Sequence, residues 1–126
     1  MNRPEQLAHK AIADHLRTRG VAGLVWWHTP NNLFAGGKRN RKGVAIQASI
    51  MKGLGMKAGV ADFILVHGGK IYALELKAER GGRLSEAQSE FLASMERAGG
   101  SCAVAQGLDH GLKILEGWSL LRGRAS

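Results

Sequence analysis

Between Gly59 and Lys77 the chain reads GVADFILVHGGKIYALELK, two apolar runs, Asp62 to Val66 and Ile71 to Leu76, joined through Gly68-Gly69. Short β-branched and aromatic runs divided by Gly-Gly predict a β-hairpin with a two-residue turn. With both glycines in the turn, Val66 faces Ile71, Ile64 faces Ala73 and Asp62 faces Glu75. Two carboxylates then sit side by side, with Cβ atoms roughly 5 Å apart. Lys77, two residues beyond Glu75, shares their face. One ammonium neutralises only one carboxylate. The pair calls for more positive charge, which a bound divalent cation supplies.

The opposite face of the hairpin carries Phe63, Leu65, Tyr72, Leu74 and Leu76. Strands apolar on both faces belong inside a sheet covered by helices. Acids and a lysine at one end of such strands break the core pattern, and breaks of this kind concentrate at functional sites. A Glu-Lys pair on a solvated strand end accounts for Glu75 and Lys77. It does not account for Asp62 opposite them.

The rest of the chain supplies covering elements. Arg3 to Arg19 has a helical stripe of Leu7, Ala8, Ala11, Ile12 and Leu16, with Asn2 able to cap it, Glu5 in its first turn and Gly20 ending it. Leu24 to His28 reads as a strand stopped by Thr29-Pro30; Trp26 and Trp27 point to opposite faces, so at most one can be exposed to stack on a base, and both in the core is the commoner outcome. Residues 31–43 have no periodicity and hold Lys38, Arg39, Arg41 and Lys42, a basic loop over 36–43 suited to gripping phosphates. A short helix is expected over Val44 to Met51. Gly53-x-Gly55-x-x-Ala58 resembles a dinucleotide fingerprint only superficially, because no strand precedes it and no helix follows. Lys52 and Lys57 flank it, facing either phosphates or solvent. A helix follows from Glu86 to Ala98, where Ser85 and Gln88 have capping-box spacing. Ser101 to Ala105 reads as another inner strand, Leu108 to Trp118 as a last helix, and residues 120–126 as a frayed basic tail. The order predicts a single α/β domain with a mixed central sheet flanked by helices.

Charge narrows the function. The 126 residues carry a net charge of +8 and a pI near 10.3, which favours a polyanionic partner, nucleic acid before an acidic membrane. The N-terminal residues do not read as a signal peptide, and no apolar run approaches a membrane span. The single cysteine, Cys102, sits in an apolar run and reads as an inert buried thiol. With no internal disulfide to form, the chain suits an intracellular, cytoplasmic setting. No Cys or His spacing resembles a structural zinc site.

Gly59-Val60-Ala61-Asp62 followed by Glu75-Leu76-Lys77 resembles the PD-(D/E)XK nuclease signature, with Ala61 where the signature often has Pro. More narrowly, the chain is similar to the stand-alone VRR-NUC proteins of bacteria and phages, from Glu5 through the helix after Leu84. The resemblance implies Mg²⁺ or Mn²⁺ held by Asp62, Glu75 and the Leu76 carbonyl, with Lys77 at the nucleophilic water and 5′-phosphate products. It implies that Glu5 joins the metal cluster, against a plain first-turn role at the helix dipole. It implies that Gln88 points at the site beside Lys77, against a capping role alone, and it brings the strand end at His28 near that site. It further implies a homodimeric, structure-selective DNA endonuclease acting on branched DNA such as Holliday junctions. The alternative is a non-catalytic nucleic-acid-binding protein that keeps the nuclease fold, whose mark would be loss of Asp62, Glu75 or Lys77; all three are present. A sequence-specific restriction-type enzyme would need a recognition domain for which no residues are left.

Overall fold

The computed structural model describes residues 3–30 and 41–123. In chain order they form α1 (Arg3–Arg19), β1 (Val25–His28), α2 (Arg41–Gly53), β2 (Phe63–His67), β3 (Lys70–Lys77), α3 (Glu86–Arg97), β4 (Ser101–Gln106) and α4 (Leu108–Gly117). The sheet has the order β1-β2-β3-β4, antiparallel except for the parallel β3–β4 pair, which α3 connects. It is the single mixed sheet between helices that the element order predicts.

The hairpin has the expected register: Val66 opposes Ile71 and Ile64 opposes Ala73. Gly68 and Gly69 have φ of 59° and 78°, the two positive values of a type I′ turn, whose twist matches that of the strands. β2 and β3 are the inner strands, and side-chain alternation sends their residues into two cores. Phe63, Leu65, Tyr72, Leu74 and Leu76 pack with Ile12 and Leu16 of α1 and with Leu112 and Leu115 of α4. Ile64 and Ala73 pack on the other face with Leu92, Phe91 and Met95 of α3. Each large side chain fully withdrawn from water, such as Phe63 or Leu74, contributes about 1.5–3 kcal/mol before entropy is counted.

Four expectations change. The inward stripe of α1 is His9, Ile12, Ala13 and Leu16, while Leu7 is 59 % exposed; the helix is rotated from the reading that put Leu7 inside. Trp26 packs against the core, but Trp27, on edge strand β1, is 48 % exposed. α2 begins at Arg41, three residues before the expected start, so Arg41 and Lys42 belong to its first turn rather than to a loop. Residues 120–122 are anchored, not frayed: Leu120 is fully buried, Leu121 bridges Gly20, and the Arg122 N–H donates to the Arg19 carbonyl at 2.7 Å. Lys38 and Arg39 lie outside the described residues.

Candidate active site

Asp62 sits one residue before β2, directly across from Glu75 on β3, and the two acids are 5 % and 2 % exposed. They are held apart by backbone donors rather than by distance alone. The Asp62 N–H donates to Glu75 Oε1 at 3.1 Å, and the Leu76 N–H donates to Asp62 Oδ2 at 2.8 Å. The Asp62 carbonyl accepts from the Thr29 N–H at 2.8 Å, which ties the end of β1 to the start of β2. Local chain geometry therefore fixes both carboxylates.

Gln88 joins them to Lys77. Its Nε2 donates to Glu75 Oε2 at 2.9 Å, while its Oε1 accepts from Lys77 Nζ at 2.9 Å and from the Ser85 N–H at 2.8 Å. The Ser85 hydroxyl accepts the Gln88 N–H in return, which completes a capping box. The sequence set capping and a site position against each other for this residue. The amide does both, because its oxygen has two lone pairs and its nitrogen is free to turn the other way. Lys77 Nζ also lies 3.4 Å from Glu75 Oε2.

Burial comes first, and the neighbouring Asp62 charge second, in pushing the Glu75 carboxyl up to about 7; Lys77 opposes them. Burial and the Asp62 charge thus hold a proton on Glu75 well above the ordinary carboxylate range, by more than Lys77 offsets. This is the response of a carboxylate pair that one ammonium does not satisfy. Two oxygen-donor acids with that deficit fit a hard divalent cation.

A cleft of about 240 Å³ opens beside the acids, lined by Glu5, His9, Leu76, Lys77 and Gly107 among others. Lys77 and His9 line it and touch the buried carboxylates behind them, with His9 Nε2 3.6 Å from Asp62 Oδ2. The Gly107 N–H donates to the Lys77 carbonyl at 2.8 Å, so the turn into α4 fixes the backbone of the lysine. Glu5, exposed in the first turn of α1, shares the cleft wall with Lys77. Leu76 reaches Asp62 through its N–H, and its side chain belongs to the core.

Other residues fall elsewhere. Lys52 and Lys57 line a hollow of about 600 Å³ facing Phe91 and Met95 of α3, apart from the carboxylate cleft. Cys102 is partly buried, its thiol pushed up by burial first. His9 was not anticipated. It lies at i of the i, i+3, i+4, i+7 stripe completed by Ile12, Ala13 and Leu16, and an imidazole in an otherwise apolar stripe was the available signal. His9 Nδ1 is 2.9 Å from His28 Nε2. Burial and then His9 hold the His28 imidazole below its ordinary value, against the pull of Asp62.

No described helix is long and apolar enough to cross a membrane. No family model matches the sequence, and no curated protein matches it. Among solved structures, the chain is similar to one described as a "VRR_NUC domain protein", at 17 % identity and a TM-score of 0.71, over 97 % of this chain and 93 % of that one. In its architecture, this chain has the fold of a VRR_NUC domain.

Proposed function

We propose that the chain is a divalent-metal-dependent deoxyribonuclease that hydrolyses phosphodiester bonds in structured DNA, branched junctions above all. The reading is carried by the buried Asp62–Glu75 pair, linked through Gln88 to Lys77 on the wall of an open cleft. Asp62 and Glu75 offer carboxylate oxygens, Leu76 a backbone carbonyl, and Glu5 a further carboxylate from the cleft wall. Oxygen donors of this kind suit Mg²⁺ or Mn²⁺. When bound, such an ion polarises a non-bridging phosphate oxygen and lowers the pKa of a coordinated water. Lys77 would orient the attacking water, and Gln88, bonded to both side chains, fixes the ammonium beside Glu75.

The net charge of +8 supports DNA as the polyanion. Lys38, Arg39, Arg41, Lys42, Lys52 and Lys57 grip phosphates in this reading and leave base sequence unread. A homodimer gives two sites for two strands. Ile46, Ile50 and Leu54, four residues apart along α2 and just beyond its end, are 53 %, 60 % and 77 % exposed and form a stripe for a second copy. Sedimentation of the wild type as a monomer at all concentrations would remove the dimer from the proposal.

The decisive assay is cleavage of labelled four-way junction, flap and linear duplex DNA with Mg²⁺ or Mn²⁺. Lys77→Ala and Asp62→Ala are run beside the wild type after checks of folding and DNA binding. Metal-dependent cutting that both variants lose, with junctions preferred, is the expected result. Binding without cutting on any substrate would make the chain a non-catalytic binding module.

A further inference from the structure

We propose that His9, His28 and Asp62 form a nitrogen-rich site for a borderline transition-metal ion such as Zn²⁺, distinct from the all-oxygen site and joined to it through Asp62. The three residues come from α1, the end of β1 and the start of β2. One donor atom from each lies within 4.8 Å of the others. Among the described residues they are the one group of three such side chains that comes together. His9 and His28 are 19 residues apart, a separation with no zinc-motif signature, so only the fold reveals them.

His9 is 8 % exposed, and a buried imidazole needs partners for both ring nitrogens. On one side, Nδ1 meets His28 Nε2 at 2.9 Å, a contact between two basic nitrogens that holds a single proton. On the other, Nε2 faces Asp62 Oδ2 at 3.6 Å, so the ring is placed with one nitrogen toward an imidazole and the other toward a carboxylate. Oδ2 takes a 2.8 Å hydrogen bond from the Leu76 N–H. Beside them, Thr29 has its N–H on the Asp62 carbonyl, while its buried hydroxyl has no hydrogen-bond partner among the described residues. The remaining histidines are engaged singly: His15 with Arg19, His67 with the Ala22 carbonyl and His110 with the Gln106 N–H.

Ions that bond nitrogen and oxygen at about 2.0–2.2 Å hold their donors roughly 3–4 Å apart, so this cluster closes on one with shifts of about an ångström. His28, exposed at a strand end, is the side chain with freedom to make that shift. Imidazole donors favour Zn²⁺ and its neighbours over Mg²⁺. Two histidines and a carboxylate, with water in a fourth position, are a familiar zinc donor set. The site shares Asp62 with the proposed all-oxygen site but rests on the contacts above, so Zn²⁺ uptake can fail while Mg²⁺ binding persists, and the reverse.

The test is calorimetric titration of the untagged full chain with Zn²⁺ and, separately, with Mg²⁺. Wild type is expected to take up one Zn²⁺ per chain more tightly than Mg²⁺. His28→Ala, checked for folding by circular dichroism, is expected to lower the ratio of Zn²⁺ to Mg²⁺ affinity at least about tenfold. His9→Gln repeats the measurement at the buried position. Glu75→Gln, which removes an acid of the all-oxygen site, is expected to move the ratio the other way. No Zn²⁺ uptake by wild type, or an unchanged ratio in His28→Ala, would overturn the proposal. DNA cleavage plays no part in the readout.

Discussion

Glu75 keeps a proton where its unfolded counterpart gives it up. Its carboxyl rises from 4.5 to about 7 in the fold because of burial and the Asp62 charge. Across that window the folded chain binds more protons than the unfolded chain, so stability falls as pH rises from 4.5 to 7. Glu75→Gln is expected to flatten that slope and to be the more stable protein at neutral pH in the absence of metal. Denaturant unfolding on either side of the window checks this; the same slope in both proteins would refute it. Saturating Mg²⁺ is expected to stabilise wild type and to leave Glu75→Gln little changed. How much of this was legible follows from locality. The opposition of Asp62 and Glu75 could be read because two glycines fix the hairpin register without help from the rest of the chain. Gln88 was half legible, since its spacing from Ser85 announced the cap but not the second use of the same amide. His9 was missed because an apolar stripe on α1 can be drawn through Leu7 or through His9, and only packing on the sheet chooses between them.

At the scale of elements, the site depends on how α3 docks. Gly59 has φ of 78°, and a Cβ added there would lie 2.4 Å from the Ala87 carbonyl carbon and oxygen and 2.7 Å from the Gln88 nitrogen. The chain entering β2 thus passes against the first turn of α3, the turn that carries Gln88. Gly59→Ala adds backbone strain on the order of 1–3 kcal/mol and pushes that turn away from Lys77. The expected result is a loss of unfolding stability of that order, with a fall in metal-dependent cutting beyond what the stability loss explains. A variant with wild-type stability and cutting would show that the close approach is not needed. The start of α2 was not legible, because Arg41, Lys42 and Gly43 have the composition of a loop. Its exposed stripe of Ile46, Ile50 and Leu54 gives the chain an apolar face that the sheet does not use.

Among the described residues, two cores back the sheet, and of the Asp, Glu, Lys and Arg side chains only Asp62 and Glu75 are buried. Lys52 and Lys57 are exposed and lie away from the carboxylate cleft, so the role proposed for them is phosphate contact alone. Replacing either with Ala is expected to weaken binding equally for every DNA sequence and to lower the salt slope by about one. An unchanged slope would remove that lysine from the interface. The segment after α4 is tied to the end of α1 as well: Arg19 pairs with Glu116 and donates to the Arg122 carbonyl. That tether was hidden in the sequence, where Leu120 and Leu121 precede a basic tail and their burial depends on a helix a hundred residues earlier.

The hydrogen bonds that join Asp62, Glu75, Lys77 and Gln88 span only 11 to 14 residues, whereas the Arg19–Arg122 closure spans 103. Short loops close at lower entropic cost and sooner than long ones. The hairpin and α3 are therefore expected to assemble the acids, the lysine and the amide as one early unit, onto which α1 brings Glu5 and His9 later. In pulsed hydrogen exchange during refolding, the Leu76 amide is expected to gain protection before the amides of α1, and simultaneous protection would contradict that order. A refolding chain would then hold its two buried carboxylates in place before the helix that closes one wall of the cleft has docked.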